Sequence, residues 1–133
     1  MKTFLKDGIG LVSIENWEPK CWINIEQPTV QEKSYLLHEL QIPEEFYNDI
    51  EDVDERPRIE IEDGWTLIII RLPYKSDDVT LPFSTIPLGL IFKDDFFVSI
   101  CFHKSEIISD FITYTRRKKI IIRNNYDLVF SLL

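Results

Sequence analysis

The stretch RIEIEDGWTLIIIRL, residues 58–72, limits the fold more than any other part of the chain. Arg58 to Glu62 alternates strictly between polar and apolar side chains, the period of a strand with one wet face and one covered face. Asp63-Gly64 is a two-residue hairpin turn, and Trp65 to Leu72 is almost continuously apolar, as in a strand covered on both sides. An edge strand therefore pairs with a buried central one, and Glu60 and Glu62 are expected on the wet face. A central strand of this kind needs a layer of structure on each side of its sheet.

The remaining pattern supplies both layers. TFL, GLVSI and CWINI read as short strands, with Gly8, Gly10 and Pro19 marking turns. IPLGLIF and FFVSICF form a second hairpin joined by Lys93-Asp94-Asp95, after a loop expected over residues 73–78. Thr29 followed by Glu32 is a capping box that opens a helix over residues 30–40, with Val30, Leu36, Leu37 and Leu40 as its apolar face. Pro43 suits the first position of a shorter helix, where Glu44 and Glu45 complement the positive end of the dipole. Residues 105–117 form an amphipathic helix with Ile107, Ile108, Phe111 and Ile112 on one side. A last apolar helix is expected from Asn124 or Asn125, and the chain stops inside or just before a longer helical region. The fold class is α/β of the α+β type: a mixed β-sheet flanked by helices on both faces, in a single domain over residues 1–133.

With 44% hydrophobic and 13% aromatic residues in 133, such a domain buries roughly two-thirds of its unfolded surface. A net charge of −8 opposes generalised binding to nucleic acid or anionic lipid. Cys21 and Cys101 sit in apolar strand-like runs and are expected as free buried thiols, which fits a reducing compartment. The N-terminus has no apolar leader, and no run approaches the ~20 apolar residues of a membrane span, so the piece reads as soluble and cytosolic.

The acidic run NDIEDVDERPRIEIEDG, residues 48–64, is the main candidate for chemistry. Asp49 to Glu60 spans the length of a Ca²⁺ loop with acids at its first, third and last positions, but Asp54 stands where that loop needs glycine, and Pro57 interrupts it. His38 and His103 have no cysteine or second histidine at zinc-ligand spacing; His38 reads as a helix-surface residue. No nucleophile elbow, phosphate loop or activated cysteine is present, so no enzyme is expected. Arg116 to Lys119 complements the negative end of its helix or docks on an acidic surface. Asp49 falls at a helix end, where a carboxylate is disfavoured by about 0.3–1 kcal/mol. Arg56, Arg58 or a divalent cation would offset that, and Arg56-Pro57 shapes the entry into the hairpin.

The run from Asp49 to Glu60 resembles the D-I-x-[DN]-x-x-x-R-P-K/R-[VI]-E signature in the cytosolic domain of CorA-type magnesium transporters. Trp22-Ile23-Asn24-Ile25 resembles the family's W-I-[ND]-[IL] strand, Trp65 to Pro73 its Y-x-F-I-V-L-R-x-P strand, and Pro87 to Phe102 its strand-turn-strand segment. The resemblance covers essentially the whole chain. It implies a regulatory cytosolic domain at the cytoplasmic face of the bacterial inner membrane, followed in the full-length protein by long helices, two membrane spans and a Gly-Met-Asn pore motif, with five identical subunits. By motif, Asp49 carries over as an inter-subunit half-site for regulatory Mg²⁺, its partner carboxylate lying outside this chain. Some members have glutamate before this aspartate for a second site; here Asn48 stands there. No metal is expected tightly bound to this chain alone. Transport of Zn²⁺, Co²⁺ or Ni²⁺ by a relative, or a stand-alone acidic interaction domain, are the competing readings.

Overall fold

In a computed structural model, described for residues 1–8, 10–75 and 83–118, the hairpin anticipated from residues 58–72 forms as β4 (Arg58–Glu62) and β5 (Trp65–Lys75). Asp63 and Gly64 take φ values of 52° and 81°, the paired positive values of the turn that matches strand twist. Lys93 fixes this turn by donating to the Asp63 carbonyl at 3.1 Å. The other strands are β1 (Lys2–Gly8), β2 (Gly10–Ile14), β3 (Trp22–Glu26), β6 (Phe83–Lys93) and β7 (Phe96–Cys101). They form a sheet in the order β2-β1-β3-β7-β6-β5-β4. Among the described strands only β3 and β7 run parallel; the other neighbours are antiparallel, so the sheet is mixed.

Two apolar layers lie on its two faces. One joins Ile23, Ile25, Leu67, Ile69, Val98 and Ile100 to Leu36, Phe46 and Ile50 of the helical segment between β3 and β4. The other joins Leu5, Trp22, Leu88, Leu90 and Phe97 to Ile108 of α3 (Glu106–Lys118). β3 is buried along its whole length, as a central strand covered on both faces must be. Its polar Asn24 is satisfied internally: Trp22 Nε1 donates to Ser99 Oγ, and Ser99 Oγ donates to Asn24 Oδ1, both at 2.7 Å.

The capping box forms with both reciprocal bonds and starts α1 (Val30–Ser34), which continues as a π-helical stretch at Tyr35–Glu39. Leu36 is the buried anchor of this segment, but Val30 is 82% exposed and does not join its apolar face. α2 spans Glu44–Glu51, with Pro43 one position ahead of it as the cap. α3 is tied to β2 near its C-terminus, where Thr115 Oγ1 accepts from the Leu11 N–H and Arg116 Nε donates to the Leu11 carbonyl. Arg116 thus has a specific partner beyond the helix dipole.

Two further expectations are corrected. The loop placed over residues 73–78 begins later, because Pro73 to Lys75 continue β5 and pair with β6. Proline is tolerated there since β4 pairs no further along β5 than Ile69, and among the described residues no other strand pairs that edge. Second, Glu60 and Glu62 are not the wet face of β4: Ile59 and Ile61 are 70% and 72% exposed, and the glutamates are half-buried. Arg58, Glu60 and Glu62 stand opposite Ile69, Leu67 and Trp65, on the face that α2 covers. The expected terminal helix and Lys119 of the basic cluster lie outside the described residues.

Candidate functional site

Asp49 occupies the last turn of α2, and the residues that follow turn the chain back onto the sheet. The Asp52 N–H still bonds the Asn48 carbonyl at 3.2 Å, but Asp52 itself is extended, with ψ of 109°. Its carboxylate then accepts from the Asp54 N–H at 3.0 Å, and its carbonyl accepts from Glu55 N–H at 3.0 Å, a local turn typical of aspartate. Pro57 biases Arg56 toward extended backbone and so feeds the chain into β4.

Arg58, the first residue of β4, is the centre of the site. Its Nη2 donates to Asp49 Oδ2 and lies 3.0 Å from Glu60 Oε2, while its Nε lies 3.6 Å from Glu55 Oε1. The Asp49 and Arg58 side chains are 32% and 36% exposed, so water screens the pair and its net contribution is at most about 1 kcal/mol. One guanidinium among three carboxylates leaves the group net negative.

Arg71 of β5 completes the frame. Its Nη1 donates to the Glu55 carbonyl at 2.8 Å, while Nε and Nη2 donate to Thr85 Oγ1 and the Thr85 carbonyl, both at 2.7 Å. The α2–β4 loop is therefore held at Glu55 from two sides, by its side chain and by its backbone. Sequence reasoning missed Arg71 as a site residue; its signal was a lone arginine inside an apolar strand. Beyond Arg58, Glu62 has its carboxyl raised from the ordinary value by burial, then by Glu45, Asp63 and Glu60. The negative charge thus continues from the site toward the start of α2.

Of the predicted groups, Arg58 takes the role of offsetting Asp49; Arg56 is exposed. His38 is exposed on the π-helical stretch, as expected. Cys21 and Cys101 are free, buried thiols.

Across residues 18–133 the sequence matches the family described as CorA-like Mg2+ transporter protein. The chain belongs to that family. Its fold is also that of solved CorA structures. The complete CorA magnesium transporter from Methanocaldococcus jannaschii superposes with a TM-score of 0.79 at 21% identity, covering 99% of this chain and 43% of that one. The soluble domain of CorA from the same organism gives 0.77 at 20% identity, with 98% and 53% covered. The ZntB cytoplasmic domain from Vibrio parahaemolyticus RIMD 2210633 gives 0.69 at 13% identity, with 97% and 56% covered. This CorA-like chain thus spans about half the length of the structures it resembles. No curated protein matches it.

Among the described residues no three His, Cys, Asp or Glu side chains are grouped to hold a metal ion, and no helix is long and apolar enough to cross a membrane. The Asp49 carboxylate offers oxygens of the kind a divalent cation takes, and its Oδ2 is already engaged by Arg58 Nη2.

Proposed function

We propose that this chain is the cytosolic metal-sensing domain of a CorA-like divalent-cation transporter, with Mg²⁺ as the ion and identical subunits assembled as a homopentamer. The observation that carries the reading is the placement of Asp49: a one-third exposed carboxylate at the negative end of α2, on a domain with the CorA soluble-domain fold.

Asp49 supplies one carboxylate of a site completed by a neighbouring subunit. A bound divalent cation there neutralises two facing carboxylates. Without it the two like charges repel, which weakens the interface and frees the subunits to move. The domain then reports cytosolic ion concentration to the membrane part as a population shift: high metal favours the closed, symmetric assembly.

The test is Asp49→Ala in the full-length protein, with limited proteolysis across a Mg²⁺ titration. The variant should lose Mg²⁺-dependent protection; protection at the wild-type midpoint sinks the reading. The 1–133 chain alone should bind Mg²⁺ weakly, and a tight stoichiometric site by calorimetry would contradict the shared half-site.

The likeness to the ZntB cytoplasmic domain supports a second reading of the ion. Nothing in Asp49 and its neighbours discriminates Mg²⁺ from Zn²⁺ or Co²⁺, so ion competition in a transport assay decides between them.

A further inference from the structure

We propose that Arg58 is the resident counter-cation of Asp49, which a divalent metal must displace, so that Arg58 sets the metal concentration at which the site fills. The inference rests on the reading of Asp49 as a metal ligand and names how that same site is tuned.

Three observations carry it. The Arg58 guanidinium already holds Asp49 Oδ2, so a cation bound through that oxygen would have to replace it. Its backbone is fixed by pairing with Ile69 at the start of β4, which keeps the guanidinium within reach of the site. And the same guanidinium has Glu60 at 3.0 Å and Glu55 at 3.6 Å. When Asp49 turns to metal, Arg58 gives up one carboxylate of three and remains paired. The exchange therefore avoids the large cost of leaving a charge without a partner, which would make such a site unresponsive.

The two states differ in which cation Asp49 faces. At low metal the carboxylate is turned inward, to its own subunit. At high metal it is released to the shared site while Glu55 and Glu60 retain the arginine. The competition is between a fixed monovalent cation at high local concentration and a free divalent one. Its midpoint consequently lies above that of a bare carboxylate pair. A sensor that must ignore low metal and respond to high metal gains its threshold in this way.

The test compares four variants of the full-length protein by Mg²⁺-dependent protection from limited proteolysis. Arg58→Gln should lower the Mg²⁺ midpoint about two- to fivefold, the range of a partly exposed ion pair. Arg58→Lys keeps the charge and gives a folded comparison; a point charge cannot bridge three carboxylates as a guanidinium does, so its midpoint should fall between wild type and Arg58→Gln. Arg56→Gln removes the same charge from an exposed position two residues away and should stay at the wild-type midpoint. Asp49→Ala should abolish the response. An unchanged or higher midpoint in both Arg58 variants overturns the proposal while leaving Asp49 as the ligand. An equal shift in Arg56→Gln also overturns it, since a general field would then account for the effect. Protection that survives Asp49→Ala refutes the ligand reading itself.

Discussion

Gly89 leaves the space that Ile50 fills. A Cβ at position 89 would fall 2.2 Å from Ile50 Cδ1 and 2.5 Å from its Cγ1, and Ile50 is buried against the sheet beside Asp49. Gly89 pairs with Ile69 on β5 and Ile100 on β7, so it stands in the middle of the sheet, where glycine weakens a strand unless something needs its space. The close approach brings the last turn of α2 down onto β6, and with it Asp49 into reach of Arg58.

Gly89→Ala should therefore destabilise the domain by about 1–3 kcal/mol, the cost of overpacking a filled core. Ile50→Ala should cost about 2–5 kcal/mol by leaving a cavity. Because both changes act on one space, the double variant should be less destabilised than the sum, by at least ~0.5 kcal/mol in denaturant melts. Simple additivity would show that α2 does not depend on this contact.

Much of this architecture was legible because its signals are local. The Asp63-Gly64 turn, the Thr29–Glu32 box and the apolar runs each act within a few residues, and all three took the form expected. The site was legible only as far as one carboxylate at a helix end needing a counter-charge. That Arg58 rather than Arg56 supplies it follows from the pairing of Arg58 with Ile69, a non-local fact. The inversion of β4 has the same origin. Alternation tells that a strand has two faces, but which face turns inward is set by register against β5 and by where α2 ends.

The thiols offer a test of the two-faced core. Cys21 belongs to the layer under α2 and Cys101 to the layer under α3. Burial pushes both thiols up from their ordinary value of 9.0, so little thiolate is available to react. Native protein should leave both unmodified by a water-soluble disulfide reagent over the time in which denatured protein reacts fully. Rapid modification of either in native protein would place that cysteine at the surface.

Acid should weaken the start of α1 in a defined window. Burial pushes the Glu32 carboxyl up, but the Thr29 N–H and hydroxyl and the N-terminal ammonium, 3.0 Å away, outweigh it and hold the group below its ordinary value of 4.5. A depressed folded value means stability that is present above 4.5 and lost as pH falls through the folded value. The stability advantage of wild type over Glu32→Gln should thus shrink steadily below pH 4.5. Thr29→Ala, which removes the other half of the box, should cost about 0.5–2 kcal/mol at neutral pH.

The last prediction separates the two faces of β4. Were Ile59 and Ile61 the covered face, as alternation suggested, replacing both by threonine would bury two hydroxyls and remove two methyls, destabilising the domain by well over 1 kcal/mol. In the structure they stand opposite Ile68 and Thr66 at the rim of the sheet, 70% and 72% exposed. Each change should then stay within about 0.5 kcal/mol, as exposed substitutions do. The same exposure leaves an apolar strand at the end of the strand order with no described strand on its outer side, a template for pairing with another chain. Ile59→Lys with Ile61→Lys should therefore reduce concentration-dependent association of the 1–133 chain in light scattering while leaving its melting midpoint nearly unchanged. A sharp loss of stability in the lysine pair would return those side chains to the interior and restore Glu60 and Glu62 to solvent.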